Sequence, residues 1–152
     1  MLNIKRLDLN DAKKLIEGAK QESVAMGVPM CIAITDESGN LVAFDRMDGA
    51  KVASVILSQN KSMTAAISRK GTHEYNAACV PGNLAFGLHT AFDGRFCIVG
   101  GGLPVMVDGE VIGGIGVSSG TPEQDMQCAQ AGLDNFFLNS HLDFSLKLDQ
   151  KS

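Results

Sequence analysis

Hydrophobic positions along the chain form three helix-like stripes separated by shorter apolar runs. Leu9, Ala12, Ile16, Ala19, Ser23 and Met26 recur at steps of three and four, one face of a 3.6-residue period, and predict a helix over 9–26. Asp8 stands where an N-cap belongs, and Gly27 and Pro29 supply the stop. Residues 30–34 are continuously apolar, 35–40 are rich in turn formers, and 41–44 resume the apolar run. That pattern predicts a β-hairpin whose first strand is buried on both faces. A second stripe, Val52, Ile56, Gln59, Met63 and Ile67, predicts a helix over 52–69 with Gly71 at its end. Gln59 interrupts the apolar face, either as an amide satisfied inside the fold or as a site or interface residue.

Residues 72–94 show no single period and hold Pro81, Gly82 and Gly87, the signature of short helical turns and loop. A segment of this length inside a compact domain often carries function. Three strands are predicted next, at 95–99, 104–107 and 110–117; Asp108-Gly109 between the last two is a strong hairpin signal. Thr121, Pro122 and Gln124 satisfy the start rules of a last helix, whose stripe is Met126, Ala129, Leu133 and Phe136. The polar tail 139–152, with scattered Leu and Phe, is expected to pack on a neighbour or fray. Two hairpins imply antiparallel pairing, so the order of elements gives an α+β domain: an antiparallel sheet of about five strands with helices packed on it. The chain of 152 residues reads as one domain, with its core over 8–138.

The net charge of −4 argues against a nucleic-acid or anionic-membrane partner, which would need clustered positive charge. Neither a secretory signal nor an apolar stretch of membrane-spanning length is visible, so a soluble cytoplasmic protein is expected. The four cysteines form no CxxC pair, which disfavours a four-ligand zinc site and a thioredoxin motif and favours buried, reduced thiols.

Glycine is enriched, and it is concentrated at 100–120. The run GGIGVSSG (113–120) loosely resembles a dinucleotide loop, but no second βα unit follows it, and no P-loop pattern occurs. A better use is an anion pocket made by Ser118, Ser119, Gly120 and Thr121 with the free N–H groups of the following helix, suited to a carboxylate or propionate. Alternatively, Ser119 and Thr121 only cap that helix. FDRMDGA (44–50) sets Asp45, Arg46 and Asp48 at a strand end, where Arg46 could clamp a carboxylate or pair locally with an aspartate. In an enzyme, Asp45 or Asp48 would be the general base beside it. The imidazoles are His73, His89 and His141, with Tyr75 and Cys97 near the first two in sequence. Cys97 and a histidine could form a nucleophile–base pair, and no histidines sit at i, i+4 to enforce a protein-only metal site. A haem iron needs only one axial ligand, and His, Tyr and Cys all serve.

FDRMDGA (44–50), NKSMTAA (60–66), GGGLPVMVDGEVIGGIGVSSG (100–120) and TPEQD (121–125), in this order, resemble the HbpS-like family, which includes GlcG and the C-terminal domain of PduO. The resemblance covers about residues 8–138. It implies a profilin-like α/β/α layout around a five-stranded antiparallel sheet, and homo-oligomers. It also implies haem as a possible cofactor, since some members bind haem while others accompany cobalamin or catabolic enzymes. Three readings follow. The first is a cytoplasmic haem- or tetrapyrrole-binding protein, accessory to a catabolic or cofactor pathway, with the ligand near a subunit interface. There, Arg46 and the 118–121 turn would hold carboxylates, and His73, His89, Tyr75 or Cys97 would ligate iron. The second is a small lyase, isomerase or hydrolase acting on a carboxylate metabolite. The third is a ligand-free structural oligomer.

Overall fold

Side-chain size alternates along the two central strands, and that alternation decides which helix lies on which face. The computed structural model describes the backbone of residues 1–149 and the side chains of residues 1–140. Strands β1 (Cys31–Asp36), β2 (Leu41–Arg46), β3 (Gly102–Val107) and β4 (Glu110–Ser118) form an antiparallel sheet in the order β2-β1-β4-β3. In β1 and β4, Ile34 pairs with Ile115 and Ile32 with Val117, while Thr35 pairs with Gly114, Ala33 with Gly116 and Cys31 with Ser118. Directly paired residues share a face, so one side of the sheet carries large aliphatic side chains and the other carries small ones.

The aliphatic face is covered by α1 (Leu9–Met26) and α3 (Pro122–Asp149). Leu15, Ile16, Ala19, Cys128, Ala129 and Phe136 close the main core there over Ile32, Ile34, Ile115 and Val117. Helix α2 (Ser54–Ser68) lies on the small face, so the layers are α/β/α as expected. Its backbone approaches the sheet closely. A Cβ at Gly116 would overlap the Ser58 carbonyl oxygen, one at Gly114 that of Ser62, and one at Gly102 that of Lys61. Hydroxyls fill the seam: Ser62 Oγ donates to the Gly114 carbonyl at 2.9 Å and lies 2.9 Å from Thr35 Oγ1.

The Asp108-Gly109 hairpin forms as expected, with φ of 51° and 77° at its two turn residues, the pair of positive values that a tight β-hairpin turn requires. Strand β1 is buried along its whole length, as its apolar run implied. Other expectations need correction. The sheet has four strands among the described residues, not five, because 95–99 does not join a ladder. Its backbone groups are taken instead by local turns and side chains: Arg95 and Phe96 N–H donate to the carbonyls of Phe92 and Ala91, Cys97 N–H donates to Thr64 Oγ1 at 2.9 Å, and Thr72 Oγ1 and Asn76 Nδ2 donate to the carbonyls of Val99 and Ile98. The stripe predicted on α2 holds only in part. Met63 and the neighbouring Ala66 are buried as it implied, but Val52 and Ile56 are exposed, and Ser54, Ser58, Lys61 and Ser62 point inward instead, because the helix backbone lies close over the glycines. Leu9 is likewise exposed at the start of α1. The last helix continues to Asp149, through most of the segment expected as a tail.

The N-terminal segment is pinned by Leu7 N–H donating to the Ile112 carbonyl at 3.1 Å and by Arg6 Nε donating to Glu37 at 2.7 Å. The Arg6 guanidinium holds the Glu37 carboxyl down at about 2, against an ordinary value of 4.5. A depressed carboxyl contributes stability that is fully present above pH 4.5 and lost as pH falls towards 2. Glu37→Gln is therefore expected to flatten the acid limb of a stability–pH curve in that window, as read by urea denaturation. In the same assay Gly116→Ala is expected to cost about 2–3 kcal/mol, because the helix must lift off the sheet. The exposed substitution Lys13→Ala is expected to stay within about 0.5 kcal/mol of the parent.

Candidate functional site

The register gathers most of the predicted residues at one end of the sheet. Arg46 pairs with Cys31, and Cys31 pairs with Ser118. Pairing continues one residue before β3, where Val117 N–H donates to the Gly101 carbonyl at 2.9 Å. Three strand spacings separate Arg46 from Gly101, about 14 Å. Arg46 is exposed at the last position of β2 and has no ion-pair partner among the described residues. Asp45 accepts from Lys20 Nζ at 3.1 Å, and Asp48 is exposed in the following turn. Burial pushes the Cys31 thiol above its ordinary range, and the Arg46 charge opposes that shift.

The turn predicted as an anion pocket is tied into the chain. Ser118 Oγ donates to Ser54 Oγ at 3.1 Å, Ser119 Oγ accepts from Lys51 N–H at 3.0 Å, and Gly120 N–H donates to Asp125 at 2.9 Å. Thr121 Oγ1 accepts from Gln124 N–H at 3.2 Å, and the Gln124 side chain accepts from Thr121 N–H at 2.9 Å, a reciprocal cap on α3. Gln59 is half-buried, its amide donating to the Val55 carbonyl at 2.9 Å within α2.

Sequence reasoning missed the charge beside this turn. Lys61 is only 2% exposed, and its Nζ donates to Asp125 at 2.9 Å and to the Val117 carbonyl at 3.0 Å. This buried pair joins the middle of α2 to the first turn of α3. Burial pushes the Asp125 carboxyl above its ordinary range, and the Lys61 charge acts against that. The available signal was the small-residue stripe Ser54, Ser58, Ser62, Ala65, on whose side of the helix Lys61 falls.

A second group of predicted residues occupies the segment between α2 and β3. His73 is exposed on the 3₁₀ turn Thr72–Tyr75. The Tyr75 ring meets Phe96 edge-on at 5.0 Å, with Lys70 Nζ 5.8 Å from its centre, and its hydroxyl donates to the Ser68 carbonyl at 3.4 Å. Cys97 is half-buried. The thiol that meets an imidazole is Cys79, not Cys97: its Sγ lies 3.0 Å from His89 Nδ1. Cys79 is buried while His89 is exposed, and the Phe86 ring sits 5.9 Å from the imidazole. Leu84, Phe86 and Phe92 are exposed on the same segment. The His141 side chain lies outside the described residues. No group of three His, Cys, Asp or Glu side chains among the described residues could hold a metal ion.

Two surface grooves accompany these clusters. The larger, about 380 Å³, lies at the opposite end of the sheet between Leu2, Ile4, Ile67, Arg69, Met106 and Val111 and contains none of the predicted residues. The other, about 320 Å³, runs between α1 and the edge strand β2 and includes Asp45. No helix among the described residues is long and apolar enough to cross a membrane.

The chain belongs to the HbpS-like family, whose model, "Haem degrading protein HbpS-like", matches residues 7–134. It is 41% identical over 133 residues to an uncharacterized 15.0 kDa protein in the dhaT-dhaS intergenic region of Citrobacter freundii, covering 88% of this chain and 94% of that one. It is also 32% identical over 135 residues to the corrinoid adenosyltransferase PduO of Salmonella typhimurium, matching 89% of this chain but only 40% of PduO. Among solved structures, Klebsiella pneumoniae protein ORFY superposes with a TM-score of 0.88 at 36% identity, over 90% of this chain and 94% of that one. A PduOC:heme complex superposes with a TM-score of 0.82 at 32% identity, over 86% and 94% of the two chains.

Removing one member of the buried pair leaves an uncompensated charge. Lys61→Met is therefore expected to cost about 3–5 kcal/mol, measured by denaturant unfolding. Adding Asp125→Leu to it is expected to recover a large part of that loss, an outcome that a purely packing role for Lys61 does not produce.

Proposed function

We propose that this protein is a cytoplasmic haem- or tetrapyrrole-binding protein that works as a homo-oligomer, accessory to a catabolic or cofactor pathway. The observation that carries the reading is the likeness to PduOC, whose structure is a heme complex, with a TM-score of 0.82 at 32% identity. The chain's own residues are compatible with such a ligand. A bound haem presents an iron that takes His, Tyr or Cys, an apolar macrocycle and two propionates. His73, His89, Tyr75 and Cys97 offer iron donors, Leu84, Phe86 and Phe92 offer exposed apolar surface, and Arg46 offers a cation that no carboxylate of the described chain neutralises. When bound, haem would supply the redox and ligand-binding chemistry of its iron. The protein's part is to orient the macrocycle, hold its carboxylates and limit access of water.

A second reading, a small enzyme for carboxylate metabolites, draws on the same unpaired Arg46 with Asp48 in the adjoining turn. Haem binding is tested by titrating hemin into the haem-free protein and recording absorbance and elution volume together. The expected result is a sharp Soret band that saturates at a fixed stoichiometry and elutes with an oligomer. A band that only broadens and never saturates contradicts the proposal. Arg46→Ala is expected to weaken hemin binding about five- to tenfold, the loss of one charge-assisted contact of about 1–1.5 kcal/mol, while leaving the Soret maximum in place. An Arg46→Ala protein with unchanged affinity removes Arg46 from the site.

A further inference from the structure

Four side chains offer themselves as iron donors in the haem-binding reading, and their surroundings differ. Tyr75 spends its hydroxyl on the Ser68 carbonyl and its ring on Phe96. Cys97 is half-buried, and its backbone N–H fixes it against Thr64 without engaging the thiol. His73 is exposed with its ring against Gly71, but neither of its ring nitrogens is hydrogen-bonded among the described residues, so no hydrogen bond sets its tautomer. His89 differs on each count. Its Nδ1 lies 3.0 Å from the Cys79 sulfur, and its Nε2 has no partner among the described residues. Cys79 is itself anchored: it is buried, and its backbone N–H donates to the Tyr75 carbonyl at 2.9 Å. Next to the imidazole stands Phe86, with a ring separation of 5.9 Å.

We infer that Nε2 of His89 is the axial donor to the haem iron and that Cys79 is the positioning residue that orients the imidazole. The inference rests on the haem-binding reading and deepens it. An imidazole that binds metal through Nε2 must carry its proton on Nδ1, and the partner of that N–H fixes both tautomer and ring orientation. Cys79 Sγ, 3.0 Å from Nδ1, is within reach to accept that proton in the tautomer that metal binding requires. The exposed Phe86 beside the ring, and Leu84 and Phe92 on the same segment, supply apolar surface of the kind a macrocycle covers. Cys79 therefore acts through His89 and does not touch the iron.

The test is hemin titration of the full-length protein and of His89→Ala, His89→Gln, His73→Ala and Cys79→Ala. Far-UV circular dichroism establishes that each variant is folded, and the glutamine variant keeps the polar side chain should alanine disturb the loop. The expected result is that both His89 variants lose at least about tenfold in affinity and shift the Soret band. Added free imidazole restores the band in His89→Ala, and His73→Ala behaves as the parent. Cys79→Ala is expected to keep the haem, bind it about tenfold more weakly, and move the iron–imidazole stretch of the ferrous form in resonance Raman. Parent-like affinity and spectrum in the His89 variants overturn the inference while leaving haem binding intact. An unchanged iron–imidazole stretch in Cys79→Ala overturns the positioning role. A parent protein that never saturates with hemin overturns the inference together with the reading beneath it.

Discussion

The fold depends on one steric constraint: α2 must lie with its backbone against the backbone of the sheet. Gly102, Gly114 and Gly116 leave no side chains between the helix carbonyls of Ser58, Lys61 and Ser62 and the strands beneath them. Close approach at that distance favours small side chains such as Ser58, Ser62 and Ala66 where α2 crosses the glycines, with the Ser62 hydroxyl bonding to the sheet backbone. It also buries Lys61, whose charge could not remain there without Asp125 and the Val117 carbonyl. The start of α3 is thereby fixed to the middle of α2, and the 118–121 turn leading into α3 is held by bonds to Lys51, Ser54, Gln124 and Asp125.

That rigid end of the sheet frames a less regular region. Residues 72–98 are held by local backbone turns and by side chains bonded to backbone, through Thr64, Thr72 and Asn76, rather than by a ladder. Such a segment can present exposed aromatic side chains and an imidazole without breaking a sheet or helix to do so. Loops positioned on a rigid scaffold are where binding residues concentrate. The scaffold supplies the place, and the segment supplies the chemistry.

Local signals made much of this architecture legible. The Asp108-Gly109 hairpin, the reciprocal cap at Thr121 and Gln124 and the doubly buried β1 all rest on short-range chemistry that acts wherever the sequence occurs. The failures share a different cause. On α2 hydrophobicity placed Met63 and Ala66 inward correctly but Val52 and Ile56 wrongly, because the glycines opposite bring the backbones too close for large side chains at the start of the helix. Residues 95–99 have strand-like composition, but their partners are the preceding turn at 91–92 and side chains brought from elsewhere in the chain, which periodicity cannot register. GGIGVSSG reads as a ligand loop in isolation, whereas Gly114 and Gly116 form the floor for a helix and Ser118 bonds to that helix. The sequence points to Cys97 rather than Cys79 beside a histidine, because the pairing of Cys79 with His89 depends on how the turns at 76–88 fold back, a property of the tertiary structure.

In the proposed role, the irregular segment carried on this scaffold binds haem through His89. A crystal structure of the full-length protein grown with ferric haem tests it most directly. The predicted result is iron ligated by His89 Nε2, with Nδ1 still on the Cys79 sulfur and the macrocycle edge over Phe86. Iron ligated by any other residue, or crystals in which added haem leaves this segment bare, would contradict it.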